Sequence, residues 1–204
     1  MRYYASLESW DLKHLVHGYP WPSLDYPGST FVDVGGGQGW VPRALVSSTN
    51  DIEFIVQDLD DTIKDGKEIL PQKIEHRIKF MQHDFFTEQP ARMADVYFLR
   101  WILHDWSDKY ALIILRSLVP ALKEGARIIL YERVLTERPE TRLTEYQARH
   151  ADLVMLAQFN GNERTAKAFQ ALFHEADPRF YVAEFRRPRG SAMTIIEVLW
   201  RPMA

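Results

Sequence analysis

The chain has 204 residues, of which 46% are hydrophobic and 26% charged, and its net charge is -3. This length suits one domain with a sizeable core, and the weak negative charge gives no general attraction to nucleic acid or an anionic membrane. The absence of cysteine excludes disulfides, thiolate nucleophiles and sulfur-ligated metal sites, and it fits a reducing compartment. The sequence shows no signal-peptide pattern and no run of 18 apolar residues, so we expect a cytoplasmic protein.

Short apolar runs rich in β-branched residues alternate with longer amphipathic segments along the first two thirds of the chain. This alternation is typical of a parallel sheet covered by helices on both faces. The predicted strands are 30–34, 53–57, 77–82, 94–99 and 126–132, and the predicted helices between them are 38–48, 60–70 and 107–122.

The pattern changes after the fifth predicted strand. Residues 142–159 and 165–177 have the composition of two further helices, and 179–200 contains two β-rich runs joined by a turn around Pro188 and Gly190. A terminal hairpin therefore completes a seven-stranded mixed sheet with one antiparallel strand. We expect a lead-in segment over 1–29 and one α/β domain over 30–204.

A glycine-rich turn follows the first predicted strand in the sequence FVDVGGGQGW, with Gly35, Gly36, Gly37 and Gly39 before the next helix. Glycines at such a junction let the backbone turn tightly and bring helix N-terminal amides close to a ligand. A tight turn without a ligand explains the same residues. The spacing differs from G-x-G-x-x-G, which argues against a dinucleotide site and a nicotinamide oxidoreductase.

Acidic residues follow the next two predicted strands. Asp58 can accept hydrogen bonds from ribose hydroxyls or cap a helix, with Asp60 also available for capping. Asp84 and Phe85 can contact the edge and face of an adenine, or serve as a turn residue and a core aromatic. Open α/β sheets bind ligands at the carboxyl ends of neighbouring strands, where all these residues fall.

The sequence LRWILHDWSD places His104 between two tryptophans after the fourth predicted strand. Three interpretations fit this histidine: a general base, a core residue with satisfied hydrogen bonds, or a metal ligand. The metal interpretation would combine His104 with His83, Asp84 and Asp105 as nitrogen and oxygen ligands.

Taken together, these segments resemble the S-adenosylmethionine-dependent O-methyltransferases of the plant caffeate type, especially their fungal secondary-metabolism branch. The resemblance runs from about Gly18 onward and rests on VDVGGGQG, VQDLDDTI, HDFF, ADVYFLRWILHDWSD, NGNERT and SAMTIIEVLW. It implies a Rossmann-like class I methyltransferase fold and a metal-free O-methyltransferase of aromatic natural products, with S-adenosyl-L-homocysteine as the cofactor product.

The resemblance also assigns site residues by position. His104 matches the general base, and Glu132 and Glu163 match the acids that flank and orient it. The residues that match cofactor-binding positions are Gly35, Gly36, Asp58, Asp84, Phe85, Arg100 and Trp101.

The chemistry of methyl transfer suits this assignment, because a phenol with a pKa near 10 is protonated at neutral pH and needs a base. A carboxylate on the other imidazole nitrogen would set the tautomer of that base. Simpler interpretations remain for three residues: an ion pair of Arg100 with Asp95, a solvated or helix-capping Glu163, and a turn or N-cap role for Asp105. Met155 and Phe159 are one helical turn apart and are candidates for the acceptor site or the core.

Members of this family normally carry a helical N-terminal dimerisation domain, whereas here residues 1–29 precede the first predicted strand. We therefore expect the catalytic domain only, with an apolar face covered by a homodimer or a separate partner chain. The leading hypothesis is methyl transfer to a phenolic or enolic hydroxyl. The alternatives are a non-methylating cofactor-binding accessory subunit and a methyltransferase-fold enzyme with another reaction.

Overall fold

The computed structural model describes residues 8–139, 141 and 143–201. None of the helices in these residues is long and apolar enough to cross a membrane. The helices α1 to α6 are Lys13–Gly18, Trp40–Leu45, Asp60–Glu68, Asp108–Leu118, Leu143–Phe159 and Ala166–Ala176. The strands β1 to β9 are Thr30–Val34, Glu53–Asp58, Ile78–Gln82, Val96–Arg100, Arg127–Glu132, Val134–Leu135, Arg164–Thr165, Phe180–Arg186 and Thr194–Trp200.

Seven of these strands form one sheet in the order β3-β2-β1-β4-β5-β9-β8. The first five are parallel, and β9 runs antiparallel to both β5 and β8. The predicted seven-stranded mixed sheet with a C-terminal hairpin is thus confirmed. The sequence patterns did not predict β6 and β7, which pair in parallel over two residues outside this sheet.

The helices cover both faces of the sheet, as predicted. Phe31 of β1 packs in one cluster with Leu15 of α1 and Leu45 of α2. Val32, the next residue of β1, packs on the other face with residues of α4 and α6 such as Phe173. Successive side chains of a strand point to opposite faces, so the apolar run of β1 fills two cores at once.

Several elements begin or end within a few residues of their predicted bounds. Helix α2 begins at Trp40 because Gly39 has a φ of 75°, which lies outside the helical region. Helix α4 ends at Leu118 and continues as a single 3₁₀ turn, Val119–Ala121, which contains a proline.

The described part of the predicted lead-in segment, residues 8–29, packs against the sheet. It contains α1, and its side chains Leu15, Tyr19 and Trp21 are buried. Domain bounds at residues 29 and 30 stay a prediction.

Candidate active site

The turn after β1 brings the backbone close to the end of β4. Gly35 has a φ of 68°, a left-handed conformation that side chains disfavour. A Cβ atom on Gly35 would lie 2.5 Å from Cδ1 of Ile102. The next residue, Gly36, donates its N–H to the carbonyl of Gln57 at 2.9 Å, which ties the turn to β2.

A cleft of about 260 Å³ opens beside this turn. It contains four of the seven residues predicted to bind the cofactor, Gly35, Gly36, Arg100 and Trp101. The residues that line the cleft are Asp33, Gly35, Gly36, Gly37, Trp40, Val41, Arg100, Trp101 and Ile102.

The sequence-based prediction missed Asp33, which lines the cleft and is only 2% exposed. Its Oδ2 has no hydrogen-bond partner among the described residues, and neither has Nε of Arg100. Burial raises the pKa of Asp33 to about 7, although the positive charge of Arg100 opposes this rise. An acid inside an apolar strand, two residues before a glycine turn, was the signal that could have identified it.

Arg100 does not form the ion pair with Asp95 that was its simpler interpretation. The carboxylate of Asp95 instead lies 2.5 Å from Nζ of Lys123 and accepts the N–H of Thr30 at 2.9 Å. The guanidinium of Arg100 lies over the indole of Trp101, 3.7 Å from the ring centroid. This contact holds both side chains at the cleft.

Trp101 has a φ of 57°, which is uncommon for a residue with a side chain. Its ring also contacts Trp10, with 5.5 Å between the ring centroids. The indole Nε1 is buried and has no hydrogen-bond partner in the described part of the chain. Trp10, in the predicted lead-in, is therefore a second residue near the cleft that sequence patterns did not identify.

Asp58 and Phe85 lie beside the cleft-lining glycines, outside the cleft wall itself. Oδ2 of Asp58 accepts the N–H of Gly37 at 2.8 Å. The N-cap interpretation of Asp58 is wrong, because α3 begins at Asp60 and Leu59 occupies the N-cap position. The ring of Phe85 lies 3.4 Å from the position of a Cβ on Gly35.

Asp84 is exposed and adopts the turn role that was its simpler interpretation. Its Oδ1 accepts the N–H of Phe86 at 3.0 Å, and its carbonyl accepts the N–H of Thr87 at 2.9 Å. The adenine-contacting role of Asp84 remains a prediction.

His104 lies in a 3₁₀ turn, Leu103–Asp105, directly after β4, and is 8% exposed. Its Nδ1 lies 3.4 Å from Oε1 of Glu163, so the structure brings together these two predicted residues. Its Nε2 lies 3.4 Å from Oδ1 of Asp105 and makes no hydrogen bond to any described residue.

Glu132 supports the backbone of this turn from the end of β5. It is fully buried, and its Oε1 accepts the N–H groups of Ile102 at 2.9 Å and Leu103 at 3.2 Å. Burial raises the pKa of Glu132 to about 7, while the charge of His104 and the two hydrogen bonds oppose the rise. Its role as an acid that orients the imidazole of His104 remains a prediction.

Three carboxylates set the charge of His104. Burial lowers its pKa, but the negative charges of Glu132, Glu163 and Asp105 outweigh burial and raise the pKa to about 9. In the absence of ligand, these carboxylates therefore favour the protonated form of the His104 imidazole at neutral pH.

Glu163 belongs to the loop between α5 and α6 and is buried, so the solvated interpretation is wrong. The helix-cap interpretation is also wrong, because the N-cap of α6 is Thr165, whose Oγ1 accepts the N–H of Ala168. The N–H of Glu163 donates to Oδ1 of Asp152 on α5 at 2.8 Å. The loop is thereby held to α5 while its carboxylate faces His104.

Asp105 is not the N-cap of α4, because Ser107 occupies that position. Asp105 ends the 3₁₀ turn, and burial raises the pKa of its carboxyl group. Within residues 8–139, 141 and 143–201, no group of three or more histidine, aspartate or glutamate residues is arranged to hold a metal ion.

The sheet order and the glycine turn define a Rossmann-like class I methyltransferase fold, which solved methyltransferases share. Human N-acetylserotonin methyltransferase, solved in complex with SAM, has a TM-score of 0.80 and 25% identity. The match covers 93% of this chain and 51% of that structure.

The chain belongs to the O-methyltransferase domain family, whose model matches residues 25–178. It is 43% identical to the grayanic acid biosynthesis cluster O-methyltransferase of Cladonia grayi, over 99% of this chain and 45% of that protein. It is 38% identical to the chlorophenol O-methyltransferase of Trichoderma longibrachiatum, over 98% of this chain and 44% of that protein. The chain spans about half the length of the curated relatives that it matches.

Proposed function

We propose that this chain is the cofactor-binding and base-bearing part of an S-adenosylmethionine-dependent O-methyltransferase. Its acceptor would be a phenolic or enolic hydroxyl of an aromatic natural product. The observation that carries the proposal is the buried contact between His104 and Glu163. His104 lies two residues after Ile102, and Ile102 lines the cleft. The relatives in Cladonia grayi and Trichoderma longibrachiatum support the reaction, and the name of the second, a chlorophenol O-methyltransferase, supports an aromatic acceptor.

The polar atoms around the cleft fit the charges of S-adenosylmethionine. Asp33 offers a buried carboxylate oxygen and Arg100 a buried N–H, both without partners among the described residues, which suit an ammonium and a carboxylate group. Asp58 would accept hydrogen bonds from the ribose, and Phe85 with Asp84 would contact the adenine. When bound, this cofactor supplies an electrophilic methyl group on a positively charged sulfur.

His104 would take the acceptor proton at Nε2, the nitrogen that makes no hydrogen bond. Glu163 would hold the proton on Nδ1 and stabilise the imidazolium that forms. A pKa of about 9 lies close to that of a phenol, about 10, so the proton transfer is nearly balanced. A positive charge bound in the neighbouring cleft would lower the pKa of His104 and increase its neutral fraction.

The direct test is methyl transfer from labelled S-adenosylmethionine to a panel of polyketide phenols and chlorophenols by the purified chain. His104→Ala should lower the rate about 10²- to 10⁴-fold, because the base is lost. Cofactor affinity, measured by calorimetry, should be retained or increased, since His104 does not line the cleft and its loss removes a positive charge near the bound sulfonium.

His174→Ala is the matched control, because His174 is exposed on α6, and it should leave the rate unchanged. A His104→Ala variant that methylates as fast as the wild type would overturn the base assignment. Full turnover with a cofactor analogue that lacks the methyl group would instead identify a reaction other than methylation.

We also propose that another polypeptide, a second copy or a separate partner chain, covers α5 in the cytoplasm. The apolar side chains of Leu153, Leu156 and Phe159 are at least half exposed on this helix. Exposed apolar surface of this kind is typical of interaction sites. Sedimentation that shows a monomer at all concentrations, and no change with added partner candidates, would contradict this part of the proposal.

A further inference from the structure

The residue after Glu163 is a buried arginine whose side-chain hydrogen bonds all lead to residues 103–108 or to its own loop. The side chain of Arg164 is 1% exposed. Its Nη1 donates to the carbonyl of Leu103 at 2.6 Å, and its Nη2 donates to the carbonyl of Trp106 at 2.8 Å. Nε and Nη2 both donate to Oδ1 of Asp108, at 2.9 and 2.7 Å.

These acceptors lie on both sides of His104 along the chain. Leu103 directly precedes the histidine, whereas Trp106 and Asp108 follow it. The guanidinium of Arg164 is planar and has fixed donor directions, so its hydrogen bonds restrain the backbone conformation of residues 103–108. A lysine ammonium carries the same charge, but it cannot reproduce this set of donor directions.

The other end of Arg164 is fixed as well. In β7 it pairs with Val134 of β6, two residues beyond Glu132. The N–H of Asn162 donates to the carbonyl of His104 at 3.0 Å, so the loop and the turn are also joined through their backbones. The position of Arg164 thus determines how far the Glu163 carboxylate lies from the imidazole.

We propose that Arg164 is a positioning residue that holds the His104 turn and Glu163 in register, so that the acid stays on Nδ1 of the base. The kinetic part of this inference rests on the proposed function, whereas the geometric part can be tested without turnover.

The charges around His104 make the test specific. Loss of the positive charge of Arg164 would by itself raise the pKa of His104, whereas loss of the Glu163 contact would lower it. Arg164→Lys keeps the charge and removes the geometry, so a lower pKa in this variant reports the contact. The charged groups that face the imidazole are Glu132 from β5, Asp105 from its own turn and Glu163 from the loop. Arg133 lies 3.7 Å from Glu163, and the guanidinium of Arg164 binds the backbone of the turn.

The experiment is an NMR titration of His104 in the full chain, with the signal assigned from its loss in His104→Gln. We expect the titration midpoint of Arg164→Lys to fall by about one pH unit or more toward 6.5. Arg116→Lys is the matched control, because Arg116 also donates to two backbone carbonyls, those of Glu175 and Ala176, away from the site. It should lower the melting temperature and leave the midpoint unchanged.

Methyl transfer provides the second readout. At saturating cofactor, Arg164→Lys should lower kcat about 10- to 100-fold, since small misplacements of a catalytic group reduce rates by such factors. Its cofactor Kd should stay within about twofold of wild type, and Arg116→Lys should keep both values. If the wild-type chain binds cofactor but methylates nothing, the proposed function fails, while the titration still decides the role of Arg164.

A wild-type midpoint and kcat in folded Arg164→Lys would overturn the inference. If that variant does not fold, Asp108→Ala replaces it, because Asp108 is 68% exposed and its loss removes two hydrogen bonds of Arg164. We expect a larger fall of the His104 midpoint in Asp108→Ala than in Asp108→Asn, which loses the same negative charge but keeps an oxygen acceptor for Arg164. Equal midpoints in these two variants would also overturn the inference.

Discussion

Oε1 of Glu132 accepts the backbone N–H of Ile102 at 2.9 Å, which joins the end of β5 to the residue between the cleft and the histidine turn. Ile102 lines the cleft and its side chain lies against Gly35, while the turn that carries His104 begins at the next residue. One buried carboxylate thereby connects the two halves of the candidate site.

Two substitutions of Glu132 distinguish the contribution of its negative charge to stability from the contribution of its hydrogen bonds. Glu132→Gln keeps an acceptor for the N–H groups of Ile102 and Leu103, so the free energy of unfolding should stay within about 1 kcal/mol of wild type. Glu132→Ala leaves two buried N–H groups without an acceptor and should lower that free energy by about 2 to 4 kcal/mol. Urea denaturation at pH 8 measures both, and equal stabilities for the two variants would contradict the bonding role.

The rate should rise with pH over the range in which His104 loses its proton. The surrounding carboxylates raise the pKa of His104 to about 9 in the free protein, and the positive charge of bound cofactor should move the midpoint of kcat/KM for the acceptor below this value. Glu163→Gln removes a negative charge near the imidazole, so its midpoint should move to lower pH, with a lower plateau because the tautomer is no longer held. If the acid limb of the kcat/KM profile lies at the same pH in Glu163→Gln as in the wild type, His104 is not the group that titrates.

Substitution of the glycine turn tests the approach of Ile102 to the backbone. Both Gly35 and Gly37 have positive φ values, 68° and 59°, so alanine strains the backbone by about 1 to 2 kcal/mol at either position. Only at Gly35 does the added Cβ meet a neighbour, the Cδ1 of Ile102 at 2.5 Å, whereas at Gly37 it meets none within 4 Å. Calorimetry should show a cofactor Kd raised at least about tenfold in Gly35→Ala and raised less in Gly37→Ala. An equal rise of the cofactor Kd in the two variants would show that backbone strain alone weakens cofactor binding.

Gly161 tests the contact between the loop and the histidine turn. A Cβ at this position would lie 2.1 Å from the carbonyl oxygen of His104, so Gly161→Ala must push the loop away from the turn. We expect a loss of methyl transfer of about 10²-fold, with cofactor affinity retained. Gln158→Ala, exposed on α5, is the control and should keep full activity. Wild-type kcat in Gly161→Ala would show that the loop does not position Glu163.

Local sequence patterns were sufficient for the main sheet and for much of the candidate site. The apolar runs around Val32 and Ile128 are short and rich in β-branched residues, which favours buried strands, and the glycines after β1 permit a turn that other residues resist. His104 and Glu163 were identified from a family resemblance in the surrounding segments. Their contact required the structure, because 59 residues separate them along the chain.

The amino-acid sequence alone indicated the strands of the main sheet, most of the helices and the residues that carry reactive groups, because hydrophobic periodicity and turn chemistry are local properties. It did not indicate α1, β6 or β7, the proximity of Asp33 to Arg100, the packing of Trp10 on Trp101, or the hydrogen bonds of Arg164 to the residues around His104. These contacts depend on which strand ends and loops meet in space. The desolvation that raises the pKa of His104, Glu132 and Asp33 arises only when those neighbours exclude water, so no local pattern could predict it.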